Sequence, residues 1–122
     1  MFGDWQSGKK IEIAKKLMSE FLDSLMKSNS PDVEIALRVY GHQSSLWPGP
    51  VNCEDTKLEV PFAIISTSVP KMKKVINGLT PTGTTPIAYS LGKSANDFPS
   101  EKNSRNIIIL ITDGIEECNG DP

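Results

Sequence analysis

The chain has 122 residues, the length of one small domain. Thirteen Lys and Arg residues against fifteen Asp and Glu residues give a net charge of -2. This balance excludes the large cationic surface that sequence-general nucleic-acid binding needs. The longest aliphatic run, Ile107 to Ile111, is far too short to cross a bilayer. We therefore expect neither nucleic-acid binding nor membrane insertion in this segment.

The first half of the chain predicts one helix and two strands. Apolar residues recur at three- and four-residue steps over residues 9 to 27, which is typical of an amphipathic helix. Apolar and polar residues alternate from 33 to 40, which predicts a strand. Residues 41 to 56 contain several Gly and Pro residues and predict a long loop. A short strand follows at 57 to 60, and Pro61 confines it to a sheet edge because proline cannot donate to a ladder.

The second half predicts two helices and one buried strand. Residues 70 to 78 carry apolar side chains on one stripe, with a proline in the first turn and a glycine at the end. Pro86 opens the next helix, with Thr85 as its N-cap. Residues 106 to 112 are apolar on both alternating faces, which is typical of a central strand covered by helices. That strand ends at Asp113.

This order of elements predicts an α/β fold, a doubly wound, mostly parallel sheet with helices on both faces and one antiparallel edge strand. In such sheets, ligands bind at the carboxyl ends of the strands. Asp113 lies at such an end, and the loop that carries Thr84 and Thr85 opens a helix at the same rim. Carboxylate and hydroxyl oxygens suit Mg²⁺ better than zinc. The rim therefore predicts a hard-cation site.

Three segments together resemble a bacterial-type von Willebrand factor type A domain. They are residues 33–42 (VEIALRVYGH), 83–91 (GTTPIAYSL) and 107–114 (IIILITDG), and the resemblance covers nearly the whole chain. It implies a Rossmann-like fold with a metal-ion-dependent adhesion site, which the family builds from an Asp-x-Ser-x-Ser loop, a threonine and an aspartate. By this resemblance, Thr85 matches the threonine and Asp113 the aspartate, and the expected metal is Mg²⁺, with Mn²⁺ or Ca²⁺ as substitutes.

The sequence departs from the family's pattern in one respect: it contains no Asp-x-Ser-x-Ser motif. The resemblance therefore implies that residues 1–122 are a partial domain, truncated at both ends. Its first central strand would be missing from between strands 33–40 and 106–112. We expect this segment alone to be poorly folded, aggregated or strand-exchanged, because the neighbours of the missing strand expose unpaired edges. We also expect weak or absent metal affinity, because two protein oxygens rarely out-compete the hydration of Mg²⁺.

The resemblance implies a Mg²⁺-dependent protein-binding module for adhesion or scaffolding, which is not an enzyme and whose partner supplies an acidic side chain. One alternative is a nucleotide-binding protein that uses Gly3 to Lys9, a Gly-x-x-x-x-Gly-Lys segment before a helix. Lys10 follows it where magnesium needs a hydroxyl, which makes the match incomplete. Another is a type A fold that binds its partner without metal. On local sequence alone, a helix cap is the favoured interpretation of Thr85 and a turn the favoured interpretation of Asp113-Gly114.

The two cysteines leave three alternatives open. Cys53 and Cys118 are expected at the same rim, where they could form one bridge. Cys118 could instead pair with a cysteine beyond Pro122, or both thiols could be free, since connectivity cannot be deduced from sequence. A bridge would favour an extracellular, periplasmic or cell-surface location over the cytoplasm, because such bonds do not persist in a reducing compartment.

Overall fold

The computed structural model describes residues 4–5, 8–43, 52–100, 103–112 and 114–122. These residues form four strands and three helices. In chain order the elements are β1 (Asp4–Trp5), β2 (Gly8–Lys9), α1 (Lys10–Ser28), β3 (Glu34–Tyr40), β4 (Thr56–Ile64), α2 (Ile65–Gly78) and α3 (Ile87–Asp97). The chain divides into two units. Unit 1 comprises Met1–Leu37 with Glu59–Pro81, and unit 2 comprises Arg38–Leu58 with Thr82–Pro122.

The predicted doubly wound, mostly parallel sheet is wrong. The described strands form two separate two-stranded sheets, β1 with β2 and β3 with β4. β1 and β2 are antiparallel. The end of β3 meets the start of β4, where the Gly41 amide donates to the Asp55 carbonyl at 3.0 Å, so this pair is antiparallel as well. No parallel pair, and hence no central strand with helices on both sides, occurs among the residues described.

Residues 106–112 were predicted as the central strand, and this prediction is also wrong. They join no described strand. The five aliphatic side chains of Ile107–Ile111 are between 43% and 65% exposed, where a central strand would bury them. An apolar run favours a strand only when neighbouring strands bond its backbone groups and other layers cover its side chains. Neither condition is met among the described residues.

The core of unit 1 lies between α1, α2 and β4. It consists of six buried apolar side chains, of which α2 supplies four at helical spacing: Leu22, Val60, Ile65, Val69, Met72 and Ile76. Two polar contacts set the direction of the helices. Lys15 Nζ donates to the Asn77 carbonyl at 3.1 Å, and Lys73 pairs with Asp23. The later residue of α1 contacts the earlier residue of α2, so the two helices pack antiparallel.

Helix α2 begins five residues earlier than predicted. The sequence places Pro70 in the first turn, whereas the structure has it inside a helix that starts at Ile65. Buried contacts stabilise the added turn. The Ser68 hydroxyl lies 3.1 Å from the carbonyl oxygens of both Ile35 and Ala63. Proline favours a helix that begins close to it. Here the helix begins earlier, because the apolar side chains of the added turn are buried in the core.

Other predictions for this part of the chain are confirmed. The helix over 9–27 is α1 and the strand over 33–40 is β3, each within one residue at its ends. The strand at 57–60 is the longer β4, which continues through Pro61. Proline is tolerated there because both strands of a two-stranded sheet are edges. In the described ranges, none of the helices is long and apolar enough to cross a membrane.

Candidate functional site

Of the two predicted metal ligands, the structure describes Thr85, near the start of α3 in unit 2. Asp113 itself falls outside the described residues. Thr85 lies two residues before the helix. A Cβ added to Gly114 would lie 3.5 Å from Thr85 Cγ2 and 3.7 Å from Thr85 Oγ1. The structure therefore brings the Thr85 side chain beside the residue that follows Asp113, although the two are far apart in sequence.

Thr85 is not the N-cap of α3, contrary to the prediction. The helix begins at Ile87, and the residue before it, Pro86, makes no side-chain cap. The first turn is satisfied from a distant segment instead. The Ala88 amide donates to Glu116 Oε2 at 2.9 Å. A carboxylate 28 residues further along the chain thus accepts a hydrogen bond from the helix terminus, which has a partial positive charge.

A second carboxylate, Glu117, binds the residues just before α3. The Thr84 hydroxyl and the Thr85 amide each donate to Glu117 Oε2 at 2.8 Å. In return, the Glu117 amide donates to the Thr85 carbonyl at 3.2 Å. Thr84 is buried, so its hydroxyl needs this partner. Glu117 is thereby fixed to Thr85 through both its backbone and its side chain.

These hydrogen bonds shift the acidity of both carboxyl groups. The Ala88 amide holds the pKa of Glu116 below its ordinary value. For Glu117, the Thr84 hydroxyl and then the Thr85 hydroxyl lower the pKa, because both stabilise the carboxylate. Both groups are therefore anions at neutral pH. The start of α3 therefore has two negative charges beside it.

Two glycines hold the loop before α3 against the end of β3. The Gly41 carbonyl accepts from the amides of Thr82 and Gly83 at 3.0 and 2.9 Å. Gly41 has φ +69°, and a Cβ there would lie 2.5 Å from the Thr84 carbonyl oxygen. A Cβ on Gly83 would lie 2.5 Å from Asp55 Oδ2. No larger residue fits either position without a shift of the backbone or of a buried carboxylate.

Asp55 is a buried carboxylate that the sequence analysis did not single out. Its side chain is 1% exposed and accepts from the Gln43 amide at 3.1 and 3.2 Å through its two oxygens. Its carbonyl accepts from Gly41. These bonds join the residues that follow β3 to the residue that precedes β4, so Asp55 has a structural role in supporting the loop before α3.

A disulfide joins Cys53 to Cys118 across 65 residues, with 5.6 Å between their Cα atoms. The first of the three alternatives for the cysteines is therefore confirmed, and the bridge uses both cysteines of the chain. Cys118 directly follows Glu117, and Cys53 lies two residues before Asp55. The bridge thus ties the segment with the two glutamates to the residues just before β4, among them Asp55.

Glu116 and Glu117 are the residues of this site that the sequence analysis missed. Their only signal is two consecutive carboxylates shortly after the Asp113-Gly114 pair, and nothing local indicates that they meet a helix start. In the described part of the chain, no group of three or more His, Cys, Asp or Glu residues could hold a metal ion.

The alternative nucleotide-binding segment lies only partly within the described residues. Of Gly3 to Lys9, the structure describes Asp4–Trp5 and Gly8–Lys9, which pair as antiparallel strands directly before α1. In a phosphate-binding loop the backbone amides must point at the phosphates. Nucleotide binding by this segment stays an untested prediction.

Glu117 is expected to make stability depend on pH. Because its pKa is lowered in the folded state, its stabilisation is complete above the ordinary carboxyl value of 4.5 and is lost as pH falls through the lowered value. Urea unfolding from pH 7 to pH 3 should show less acid destabilisation in Glu117→Gln than in the unsubstituted chain. Glu20→Gln, on the exposed surface of α1, is the control. Equal acid sensitivity in all three proteins would contradict this role.

Comparison with known proteins gives two relatives. The chain is 34% identical over 117 residues to the uncharacterized protein YwmD of Bacillus subtilis (strain 168), covering 93% of this chain and 50% of YwmD. It is 29% identical over 116 residues to YwmC of the same organism, covering 93% of this chain and 48% of YwmC. The chain spans about half the length of these curated relatives. No family model and no solved structure matches it.

Proposed function

We propose that this segment belongs to a Mg²⁺-dependent protein-binding module of the type A kind, in which Thr85 and Asp113 hold the cation, and that the module is not an enzyme. The observation that carries the proposal is the placement of the Thr85 side chain beside Gly114. Thr85 and Gly114 come from separate motifs, and chain proximity gives no reason for them to meet. A cation shared by Thr85 and Asp113 would require the segment that follows Asp113 to lie close to Thr85, as Gly114 does.

The chemistry of the surrounding groups fits a hard cation. The described donors near the start of α3 are oxygens, the Thr85 hydroxyl and the carboxylate of Glu117, whose pKa the threonine hydroxyls lower; the Asp113 carboxylate would add another oxygen ligand. Thr85 and Asp113 would hold the cation directly or through water. When bound, the cation would supply an open coordination position for an acidic side chain of a protein partner. Glu117 would keep the Thr84–Thr85 loop in place and add negative potential.

We also propose that the protein works outside the reducing cytoplasm, in an extracellular, periplasmic or cell-surface location. The Cys53–Cys118 bridge supports this, because structural disulfides persist in oxidising compartments. It also constrains the segment with Glu117, which contacts the Thr84–Thr85 loop.

Paramagnetic Mn²⁺ tests the metal site at low affinity. In NMR spectra of the chain titrated with Mn²⁺, we expect the amide signals of Thr85 and Gly114 to broaden first. Asp113→Asn and Thr85→Val should each remove most of that broadening, since each deletes one ligand while keeping the shape of the side chain. An excess of Mg²⁺ should restore the signals by competition. Asp121→Asn serves as the control for nonspecific binding to surface carboxylates.

Two results would contradict the proposal. One is broadening that Asp113→Asn leaves unchanged, which would assign the cation to other carboxylates. The other is the absence of any selective broadening near Thr85, which would favour the metal-free alternative. A saturable affinity for ATP that Lys9→Ala abolishes would support the nucleotide-binding alternative.

A further inference from the structure

We propose that Asn119 is a site of spontaneous deamidation, in which the Gly120 nitrogen attacks the Asn119 side chain and displaces ammonia, and that this modification loosens the start of α3. The chain contains two Asn-Gly pairs, at 77–78 and at 119–120. The residue after an asparagine supplies the attacking nitrogen, and glycine suits this role because it has no side chain to hinder the approach. Of the two pairs, the first lies within α2 and the second lies outside helices and strands.

The reaction consumes one water and releases one ammonia. The Gly120 nitrogen bonds to Asn119 Cγ, the bond from Cγ to the side-chain nitrogen breaks, and ammonia leaves with the proton of the Gly120 amide. The product is a succinimide ring. Water then opens the ring at either of its two carbonyls, which gives aspartate, or isoaspartate in which the main chain continues through the side-chain carbon. Both products carry a carboxylate at neutral pH, where asparagine is uncharged.

Asn119 lies in an exposed turn in which little restrains rotation of the backbone. Its φ is +57°, in the left-handed region that asparagine and glycine tolerate, which is a structural reason for an asparagine here. Ring closure requires Cγ and the Gly120 nitrogen to approach within about 3.5 Å, which takes rotation about the Asn119 Cα–C bond. Among the described residues, no hydrogen bond between backbone groups involves either residue. Both are exposed, so water reaches the ring once it has formed.

One contact opposes the reaction, the hydrogen bond from the Gly120 amide to Glu116. A Cβ on Gly120 would lie 3.1 Å from Glu116 Oε1. The amides of Ala88, Cys118 and Gly120 hold the pKa of Glu116 below its ordinary value. An amide proton donated to a carboxylate is harder to remove. Attack therefore takes place in molecules in which this single bond is open, and local opening costs little in exposed segments outside helices and strands.

The pair at Asn77 is held by the end of α2. Helical geometry bonds the Gly78 amide to the carbonyl four residues earlier. The Asn77 carbonyl accepts from Lys15 Nζ at 3.1 Å, and the Leu79 amide donates to the Ile76 carbonyl at 3.2 Å. Ile76 is part of the core of unit 1. Ring closure at Asn77 therefore requires the end of a packed helix to unfold, which is a rarer event than the opening of one hydrogen bond.

Deamidation changes the charge and the backbone next to the start of α3. Gly120 packs so closely there that an added Cβ would lie 2.5 Å from Ala88 Cβ. Isoaspartate at position 119 lengthens the main chain by one carbon, so Gly120 moves relative to Ala88. The new carboxylate also adds negative charge near Glu116, which accepts from the Ala88 amide at 2.9 Å. We therefore expect the Ala88 amide to exchange its hydrogen faster in deamidated molecules.

Peptide mapping by mass spectrometry measures both rates in one sample. The chain, with its disulfide intact and EDTA present to exclude any effect of a cation, is incubated at neutral pH. Trypsin then separates Asn77 from Asn119, since it cleaves after Lys93 and Arg105. We expect Asn119 to be converted at least about tenfold faster than Asn77, because α2 must open before Asn77 reacts. Isoaspartate among the products identifies the ring, since direct hydrolysis of the side chain gives aspartate alone.

Urea and one variant provide the controls. In concentrated urea the fold is lost, and the two Asn-Gly pairs should react at similar rates. Asn119→Gly deletes the reactive side chain and suits the positive φ. It should abolish conversion at position 119 and leave the rate at Asn77 unchanged. Hydrogen exchange at the Ala88 amide should stay constant during incubation of this variant, whereas it should become faster in the unsubstituted chain.

Three results would overturn the site. The first is an Asn119 that converts no faster than Asn77 in the folded chain. The second is aspartate without isoaspartate at position 119, which would show that no ring forms. The third is a rate difference that persists in urea, which would show that the fold does not distinguish the two pairs. Unchanged exchange of the Ala88 amide in deamidated molecules would overturn the effect on α3.

Discussion

Replacing both Cys53 and Cys118 with serine is expected to lower the free energy of unfolding by about 4 kcal/mol. The bridge closes a loop of 65 residues, and a cross-link over a loop of this length removes much of the entropy of the unfolded chain. A loss of this size is a large part of the stability of a small domain. Urea unfolding, followed by circular dichroism, measures it.

The reducing agent dithiothreitol provides the matched control. It should lower the stability of the unsubstituted chain by the same amount and leave the double serine variant unchanged. In the reduced chain and in the double serine variant, we also expect faster hydrogen exchange at the Thr85 and Ala88 amides. In both proteins, the segment that carries Glu116 and Glu117 is no longer tethered by the disulfide. A stability loss below about 1 kcal/mol would mean that the bridge adds little to this part of the fold.

Replacing Asp97 with alanine is expected to cost about 3 kcal/mol, since it leaves a largely buried arginine without its partner. Arg38 on β3 meets Asp97 at the end of α3 in a bidentate pair, with Nε to Oδ2 at 2.6 Å and Nη2 to Oδ1 at 2.7 Å. The two side chains are only 16% and 14% exposed. Arg38 also donates through Nη1 to the Thr56 hydroxyl at 3.3 Å. The pair thus connects the C-terminal end of α3 to the end of β3 and the start of β4, which belong to unit 2.

The exposed pair between Lys73 and Asp23 is the comparison for this measurement. Its side chains are 34% and 56% exposed, and Asp23→Ala is expected to cost less than about 1 kcal/mol because water screens the pair. Chemical denaturation of both variants at neutral pH measures the difference. If Asp97→Ala costs no more than Asp23→Ala, burial does not strengthen the Arg38 pair.

The parts of the structure that follow from local pattern were predictable from the sequence. The apolar stripe of α1 and the alternation of β3 specify their own elements, because each pattern matches one backbone geometry. The run at 106–112 shows the limit of this approach. Its composition favours a strand, but a strand forms only with a neighbour, and local sequence contains no information about whether one is present. The order of elements predicts a doubly wound parallel sheet only if this run is its central strand, and that sheet is wrong for this reason.

Only those residues of the candidate site that belong to a recognisable sequence motif were predictable. Thr85 was assigned from the Gly-Thr-Thr-Pro segment, and the structure places its side chain beside Gly114. The contacts of Glu116 and Glu117 span about 30 residues of sequence, and no local spacing indicates them. The cap of α3 was misassigned to Thr85 for the same reason, since a distant carboxylate can satisfy a helix terminus as well as an adjacent hydroxyl can.

Each of the two units consists of two separate stretches of the chain, which sets the order in which the units can form during translation. The chain leaves unit 1 at Leu37, returns to it at Glu59 and leaves it again at Pro81. A ribosome produces the N-terminal end first, so every segment of unit 1 is available once Pro81 has emerged. The disulfide of unit 2 cannot form before Cys118 is translated, 65 residues after Cys53. Throughout that interval Cys53 is a free thiol, so oxidation closes the bridge only after almost the entire segment has been translated.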